Sequence, residues 1–313
     1  MIVLSIALMH IPDGFLNATI SALFWVLTAV ALTIAVRRSQ AEFDERLAPL
    51  AGIMAAFIFA AQMINFPVAG GTSGHLLGGA LAAIILGPWV GILVMACVIG
   101  VQGLLFQDGG LLVMGANIFN MGVITALVGY GLYRTANGRP RNVKLGIAGI
   151  AAWLSVMAAA LLTSLQLWLS GTAALGLVVP AMLGVHALIG LGEALITVAA
   201  LAFIFRVRPD LLHEGDAQGG RGWIAAGMLV ALAVVLLAPY ASASPDGLER
   251  VAEDMGFIQT AVATPYEVLP DYTIPFIGSE NLSTLLAGAA GILVVAVLAV
   301  LLVRYTRRSA SRS

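Results

Sequence analysis

Charged residues are scarce in this sequence of 313 residues. Asp, Glu, Lys and Arg together make up 10% of the chain and hydrophobic residues 60%, whereas soluble domains carry about 25% charged residues. The mean hydropathy of +1.01 therefore excludes a water-soluble globule. The net charge of −1 also provides no basic field that would attract nucleic acid.

Cysteine and lysine are almost absent. The one cysteine, Cys97, excludes an intramolecular disulfide and a multi-cysteine zinc site. The one lysine, Lys144, is not part of a G-x-x-x-x-G-K-[ST] motif, and that motif occurs nowhere in the chain. Because the P-loop is missing, we expect this chain not to hydrolyse ATP by that route. Any energy input must come from a partner or an ion gradient.

Long apolar runs predict an all-α, polytopic membrane protein. A membrane-spanning helix needs about 20 mostly apolar residues. The segments that fit are 16–36, 50–66, 75–87, 88–106, 115–133, 145–169, 178–205, 222–239 and 283–303. Gly87-Pro88 divides the third segment from the fourth, because proline suits the first turn of a new helix. A single helix over 75–106 is the alternative.

The basic residues distinguish these two topologies. With nine spans and an outer N-terminus, fourteen of the fifteen Lys and Arg residues are cytoplasmic, and only Arg250 lies outside. Merging 75–106 into one span places the basic loop 134–144 on the outer face, against the positive-inside rule. The nine-span topology is therefore predicted.

The chain divides into two predicted parts. Residues 9–208 hold seven spans with short loops, residues 209–221 form a polar cytoplasmic hinge with a solvated His213, and residues 222–313 hold two spans. These two spans flank an outer segment, 240–282, that carries most of the acids predicted to lie outside. The acids either attract cations weakly or form an ordinary solvated surface. A more specific alternative is that this outer domain holds the 9–14 loop in place and gates entry.

The first eight residues, MIVLSIAL, are a poor signal peptide, because they lack a positive n-region and a cleavage pattern. A translation start at Met9 explains them better, and processing at Leu8 is the alternative.

The segment MHIPDGFL (9–16) places three nitrogens in one dipeptide if Met9 is the mature N-terminus. The terminal amine and the His10 amide close a five-membered chelate ring on an ion, and the amide and His10 Nδ1 close a six-membered ring. Square-planar nitrogen ligation suits Ni²⁺ or Cu²⁺, and Co²⁺ also adopts it. Asp13 belongs to a turn signature, Pro12-Asp13-Gly14, that can fold this terminus back toward the membrane.

A second polar stretch, NFPVAGGTSGHLLGG (65–79), offers the fourth nitrogen. Its glycines and proline predict an irregular outer loop, which a membrane protein tolerates only where protein or a cavity covers the backbone. Thr72 or Ser73 is predicted to cap the helix that carries His75. His75 is therefore the candidate for the fourth nitrogen, although a single histidine near a membrane surface, including His186, can simply be an amphipathic tip.

Further polar residues fall within or beside the predicted spans. Asn117 and Asn120 share one helix face and either line a cavity or form hydrogen bonds between helices. Asp108, in Gln-Asp-Gly-Gly, is interpreted as a turn residue. Glu193 is the only acid within a span and so a functional candidate, although pairing with a neighbouring helix is the favoured interpretation.

Four successive motifs resemble those of the cobalt/nickel substrate-specific subunits of energy-coupling factor transporters. They are MHIPDGFL, FPVAGGTSGHLLGGALAAIILGPW, GLLFQDGGLLVMGANIFNMG and HALIGLGEALIT. The resemblance runs through residues 9–208. A later stretch, ASPDGLERVAEDMGF (243–257), resembles the PDGLE domain that is often fused to these subunits. The resemblance implies that this domain performs the role of a small accessory subunit.

The resemblance implies a transporter subunit that is not an enzyme and that captures Co²⁺ or Ni²⁺ at the outer face of a bacterial or archaeal plasma membrane. It implies ligation by the Met9 amine, by the amide and imidazole of His10, and by the His75 imidazole. It also implies a transmembrane coupling subunit and two cytoplasmic ATPase subunits as partners. If residues 1–8 were retained, the Met9 amine would be lost to a peptide bond and this site could not form. Candidates for supporting the ligands or lining their cavity are Asp13, Ser73, Asn117, Asn120 and His186.

Two other functional classes stay open. A secondary metal transporter driven by an ion gradient would use Glu193 for coupling, but the inverted repeats common in such carriers are not evident in the sequence. An intramembrane metalloprotease is disfavoured because the sequence has no H-E-x-x-H motif. The sequence does not distinguish cobalt from nickel, since the same four nitrogens suit either ion.

Overall fold

Apolar helices form almost all of the regular structure. The computed structural model describes residues 9–40, 46–212 and 222–310. The predictions for residues 1–8, for His213 and for most of the 209–221 hinge lie outside the described residues. The helices are α1 (Ala18–Ser39), α2 (Leu47–Gln62), α3 (Gly79–Leu86), α4 (Pro88–Leu105), α5 (Met114–Asn117), α6 (Thr125–Tyr133), α7 (Arg141–Leu169), α8 (Leu175–Val207), α9 (Gly222–Val235), α10 (Gly247–Asp254) and α11 (Glu280–Ala310).

Within these ranges, seven helical segments are long and apolar enough to span a membrane. They are Ala18–Ser39, Pro88–Leu105, Met114–Ala136, Arg141–Leu169, Leu175–Val207, Gly222–Tyr240 and Glu280–Thr306. The prediction of an all-α, polytopic membrane protein is confirmed. The other two predicted spans correspond to shorter helices, since α2 has 16 residues and α3 has eight. At 1.5 Å per residue, α3 is about 12 Å long, less than half of a hydrocarbon core of about 30 Å.

Gly87 separates α3 from α4, as the nine-span topology requires. Its backbone angles are φ 79° and ψ 159°, and Pro88 follows in the first turn of α4. These angles lie outside the helical region, and φ is positive, where glycine is favoured. A single helix over 75–106 is thereby excluded.

The backbone before α3 differs from the prediction. β1 (Phe66–Val68) and β2 (Thr72–Gly74) form an antiparallel pair, and α3 begins only after Gly78, whose φ is 82°. The prediction that Thr72 or Ser73 caps a helix carrying His75 is therefore wrong. Both residues lie in β2, where they are paired with Val68 and Pro67 of β1. His75 lies in the non-helical backbone between β2 and α3.

A π-helix, Ile118–Ile124, connects α5 to α6. Such wider turns are rare and occur frequently at functional sites. Here the π-helix follows Asn117 and contains Asn120, and both side chains are buried.

The two C-terminal spanning helices pack directly on the N-terminal part. α11 lies along α2 and α4, and α9 lies against α2. Small residues permit this close approach, because a Cβ atom on Gly52 would lie 2.7 Å from Val300 Cγ2 and 3.1 Å from the Ala296 carbonyl oxygen. One apolar core accordingly contains residues of α2, α4 and α11.

Residues 241–279, here called the connector, contain α10 and cover the loops at one end of the helical bundle. The Ser242 amide donates to the Asn65 carbonyl at 2.7 Å, and the Val262 amide donates to the Asp13 carbonyl at 2.7 Å. The Leu269 amide donates to the carbonyl of Leu105, at the end of α4, at 2.9 Å. The connector therefore contacts each of the segments in which sequence analysis placed candidate ligands or their supports.

Candidate metal site

The imidazoles of His10 and His75 meet inside the protein. Their ring centroids are 5.4 Å apart and their planes cross at 76°. Their exposed fractions are only 2% and 6%. Together with Met9 they line a cavity of about 60 Å³. The fold thus brings the three predicted ligand residues into contact with one small cavity.

Oxygen atoms lie beside both ring nitrogens of His75. Nδ1 is 3.0 Å from the carbonyl oxygen of the neighbouring Leu76. Nε2 is 3.0 Å from the Met9 carbonyl oxygen and 3.3 Å from Asp246 Oδ2. A histidine that binds a metal usually donates its other ring N–H to a carbonyl or carboxylate. The Leu76 carbonyl suits that role for Nδ1, which leaves Nε2 as the nitrogen available to an ion.

His10 is oriented by Asp108. Its Nδ1 lies 3.1 Å from the Asp108 carbonyl oxygen and 3.3 Å from the Asp108 carboxylate. Its Nε2 is buried and has no hydrogen-bond partner within the described part of the chain. Burial lowers the pKa of His10, which favours the neutral ring that a metal requires.

The loop before α1 is fixed by a side-chain amide and a carboxylate. Asn117 accepts from the Ile11 amide and donates to the Ile11 carbonyl, both at 3.0 Å. The Asp13 carboxylate accepts from the amides of three successive residues at 2.9–3.2 Å, namely Leu111, Leu112 and Val113. These bonds fix Ile11 and Asp13, which follow His10, against residues 111–117.

Glu193 fixes the backbone that carries His75. Its carboxylate is fully buried and accepts from the Leu77 amide at 2.6 Å and the Gly78 amide at 2.9 Å. Gln62 donates to the Leu77 carbonyl at 2.8 Å. Glu193 therefore ties α8 to the non-helical backbone just before α3, and not to a neighbouring helix as the favoured interpretation expected.

Three of the predicted supporting residues, Asn117, Asn120 and His186, line the cavity. Asn120 exchanges hydrogen bonds with Gln166, each 2.8 Å long. His186 Nδ1 lies 2.8 Å from the Met182 carbonyl one turn earlier in α8. Asn120 and His186 thus bond to neighbouring helical residues, whereas Asn117 bonds to the loop that carries His10.

The other two, Asp13 and Ser73, are buried and hold loops behind the cavity wall. Asp13 bonds to backbone amides, as described above. The Ser73 hydroxyl donates to the Ser244 carbonyl at 2.7 Å, and its amide donates to the Pro245 carbonyl at 2.8 Å. Ser73 therefore joins the His75 segment to the connector.

Sequence analysis missed the contributions of Asp108 and of two connector residues. Tyr272 donates its hydroxyl to Asp108 Oδ2 at 2.6 Å, and its ring stacks on Phe106 at 4.8 Å between centroids. Asp246 contacts His75 from the other side of the site. The Asp-Gly pair at 108–109 suggested only a turn, and nothing local in the sequence marks Tyr272. Asp246 belongs to the Pro-Asp-Gly-Leu-Glu motif, which carried the resemblance without indicating a contact.

Side chains alone do not complete a metal site in the described ranges. No group of three or more His, Cys, Asp or Glu side chains there is arranged to hold an ion. His10 and His75 therefore form a pair of candidate ligands, and not a complete side-chain site, within these ranges.

Residues 10–211 match the family described as the cobalt uptake substrate-specific transmembrane region. The chain belongs to this cobalt uptake family. Residues 221–308 match the PDGLE domain, so the resemblance to cobalt/nickel-specific subunits with a C-terminal PDGLE domain is confirmed. The candidate ligands His10 and His75 lie in the cobalt uptake region, whereas Asp246 and Tyr272 lie in the PDGLE domain.

Three known proteins match this chain over almost their whole length. A NikMN protein from Archaeoglobus fulgidus is 39% identical over 306 residues, which cover 96% of this chain and 99% of the relative. The fused nickel transport protein NikMN of Rhodobacter capsulatus is 29% identical, covering 92% of this chain and 95% of the relative. The solved structure of a truncated transition metal transporter is 33% identical with a TM-score of 0.57, and the match covers 63% of this chain and 99% of that one.

Proposed function

We propose that this chain is the substrate-binding membrane subunit of a Co²⁺ or Ni²⁺ uptake system. The observation that carries the proposal is the pair of buried imidazoles, His10 and His75, which face one small cavity beside Met9. Membership of the cobalt uptake family supports it, as do relatives named for nickel transport.

The ion is held by four nitrogens: the Met9 amine, the His10 amide, His10 Nδ1 and His75 Nε2. This set requires a mature chain that begins at Met9, so that its amine is free. It also requires the His10 ring to exchange its contact with Asp108 for the ion. Because the amide and amine must lose protons to bind, the metal affinity falls at low pH.

Energy for uptake comes from partner subunits. A transmembrane coupling subunit and two cytoplasmic ATPases drive reorientation of this subunit and release of the ion, which enters from the outer face of the plasma membrane. The absence of a P-loop motif from this sequence supports the assignment of ATP hydrolysis to separate subunits. Uptake is expected to stop when the ATPase partner is deleted and to survive an uncoupler; the opposite result would favour transport driven by an ion gradient.

The ligand assignment is tested by alanine substitution in the full chain beginning at Met9. His10→Ala and His75→Ala are expected to abolish binding of Ni²⁺ and Co²⁺ in isothermal titration calorimetry. His186→Ala is the matched control, because His186 lines the same cavity but bonds to Met182 within its own helix, and it is expected to retain binding. Unchanged affinity in both His10 and His75 variants would refute the assignment.

The role of the amine is tested by adding one alanine before Met9. The extra peptide bond removes the amine as a ligand while leaving both imidazoles, so metal retention is expected to be lost. N-terminal sequencing must first confirm that the added residue is not cleaved. Normal uptake by the extended protein would show that the amine is not a ligand.

A further inference from the structure

The connector contacts the segment before His75 through a single β-bridge. Ser73, in the middle of β2, forms a parallel bridge with Asp246. The Ser73 amide donates to the Pro245 carbonyl at 2.8 Å, and its hydroxyl donates to the Ser244 carbonyl at 2.7 Å. These bonds fix the register between the connector and β2. They place Asp246 next to His75, two residues beyond Ser73.

The two carboxylate oxygens of Asp246 have different contacts. Oδ1 accepts from the Leu248 amide at 2.6 Å and so caps the N-terminus of α10. Oδ2 lies 3.3 Å from His75 Nε2, the nitrogen that the proposed function assigns to the ion. The residue is only 5% exposed, and it lines the same cavity as both histidines. One oxygen is therefore committed to α10, and the other is directed at the candidate ligand.

The separation of these two atoms suits neighbouring ligands of one ion. Nitrogen and oxygen ligands lie about 2.1 Å from a divalent metal such as zinc. Two such ligands 3.3 Å apart subtend an angle of roughly 100° at the ion. An ion bound to His75 Nε2 can therefore lie within bonding distance of Asp246 Oδ2 without a change in the connector.

We propose that Asp246 is an oxygen ligand that the PDGLE domain contributes to the ion bound by His75. This inference rests on the proposed function and adds a fifth donor to its four nitrogens. The carboxylate approaches from the connector and not from the segments that carry Met9 and His10. The bound ion is then five-coordinate, and its coordination sphere contains atoms from both parts of the chain.

The coordination number gives a test that needs no variant. Four nitrogens in a plane make Ni²⁺ diamagnetic, whereas a weak-field carboxylate oxygen bound on the open axis favours the paramagnetic, high-spin state. We expect the full chain beginning at Met9, loaded with Ni²⁺, to be paramagnetic in solution by nuclear magnetic resonance susceptibility measurements. Diamagnetic, square-planar Ni²⁺ in the unaltered protein would overturn the proposal.

Two substitutions of Asp246 test the same contact. Asp246→Asn preserves the shape and the cap but removes the charge, and Asp246→Ser preserves a capping oxygen that is too short to reach His75. Each is expected to weaken Ni²⁺ binding by about 10- to 100-fold, the loss seen at other metal sites when a residue that contacts a ligand is replaced. In both variants the ligand-field spectrum of bound Co²⁺ is expected to shift.

Glu249→Gln is the matched control. It removes an acidic group from the first turn of the same helix, and Glu249 contacts the Asp246 backbone without lining the cavity. Its Ni²⁺ affinity and Co²⁺ spectrum are expected to equal those of the unaltered protein. Unaltered affinity and spectrum in Asp246→Asn would overturn the ligand role while leaving the proposed function standing. Failure of the unaltered protein to bind either ion would overturn both.

Discussion

Each candidate ligand histidine has a buried carboxylate 3.3 Å from one of its ring nitrogens, Asp108 beside His10 and Asp246 beside His75. Neither carboxylate was assigned to the site from the sequence. Asp108 follows His10 by 98 positions and Asp246 lies in the other part of the chain, so no spacing connects them. The histidines were found because their motifs lie close to features with clear chemistry, a proposed N-terminus at Met9 and a glycine-rich loop.

Glu193 provides a test at the scale of one residue. Glu193→Gln replaces a carboxylate that accepts from two backbone amides with an amide group that has only one acceptor oxygen. One buried N–H then faces an NH₂ group, and we expect a loss of about 1–3 kcal/mol in the free energy of unfolding. The metal affinity is expected to fall as well, because the His75 backbone loses an attachment.

Thermal unfolding in detergent and calorimetry with Ni²⁺ measure these two effects. Gln107→Ala is a suitable control, because Gln107 is only half-buried and bonds near the exposed end of α4. A Glu193→Gln protein as stable as the unaltered chain would show that these amide bonds contribute little.

Among the elements, α3 shows how far hydropathy can predict the structure. The apolar run 75–87 predicted a span, and its C-terminal end at Gly87 is confirmed. The helix nevertheless covers only Gly79–Leu86. Hydropathy shows that a segment is apolar, but it does not show whether lipid or protein covers that segment. Residues 72–74 contact α8, and also α10 of the connector. The glycines in this stretch indicated irregular backbone, but the connector residue Ser244, which bonds to Ser73, lies about 170 positions away.

Gly14 tests the contact between the loop before α1 and the connector. Its φ is +92°, and a Cβ atom there would lie 1.9 Å from the Thr260 carbonyl oxygen. Gly14→Ala must therefore push the loop and the connector apart, and we expect metal affinity to fall by about 10-fold or more, as at other metal sites with altered support. Calorimetry with Ni²⁺ measures this.

Gly70→Ala separates the steric effect from the backbone effect. Gly70 has a similar φ of +81°, but a Cβ atom there would meet nothing within 4 Å. This control is expected to cost roughly 1 kcal/mol of backbone strain and to leave metal affinity unchanged. Equal losses in the two variants would argue against a role for the Gly14–Thr260 contact.

For the whole molecule, the positive-inside rule and hydropathy predicted the order of the spanning helices, because both depend on local composition. They could not predict that α11 packs on α2 and α4. The small residues that permit this approach, such as Gly52, are common throughout the sequence and do not identify their partners. The two family regions consequently share one core, although each was recognised from its own motif.

The stability of the whole chain is expected to depend on pH through the connector. Burial raises the pKa of Glu249 from 4.5 to about 7 and that of Asp271 from 3.8 to about 6. The folded chain therefore holds these protons more tightly than the unfolded chain does, and the free energy of unfolding decreases as the pH rises from about 4 to 7. Thermal unfolding of the metal-free protein across this range should show the decline.

Glu249→Gln, which mimics the protonated form, is expected to flatten part of this decline. Glu280→Gln is the control, because Glu280 is exposed at the start of α11. If the unaltered protein and Glu249→Gln lose stability equally over this range, Glu249 does not titrate as described.

The cavity beside the two imidazoles measures about 60 Å³, room for only a few water molecules. In the proposed site, protein donors replace the six waters that a hydrated divalent ion carries. Dehydration must therefore precede or accompany capture, and the speed of loading depends on how readily an aqua ion gives up its shell. Two metals that bind the same nitrogens with equal strength can then still differ in how fast the protein takes them from solution.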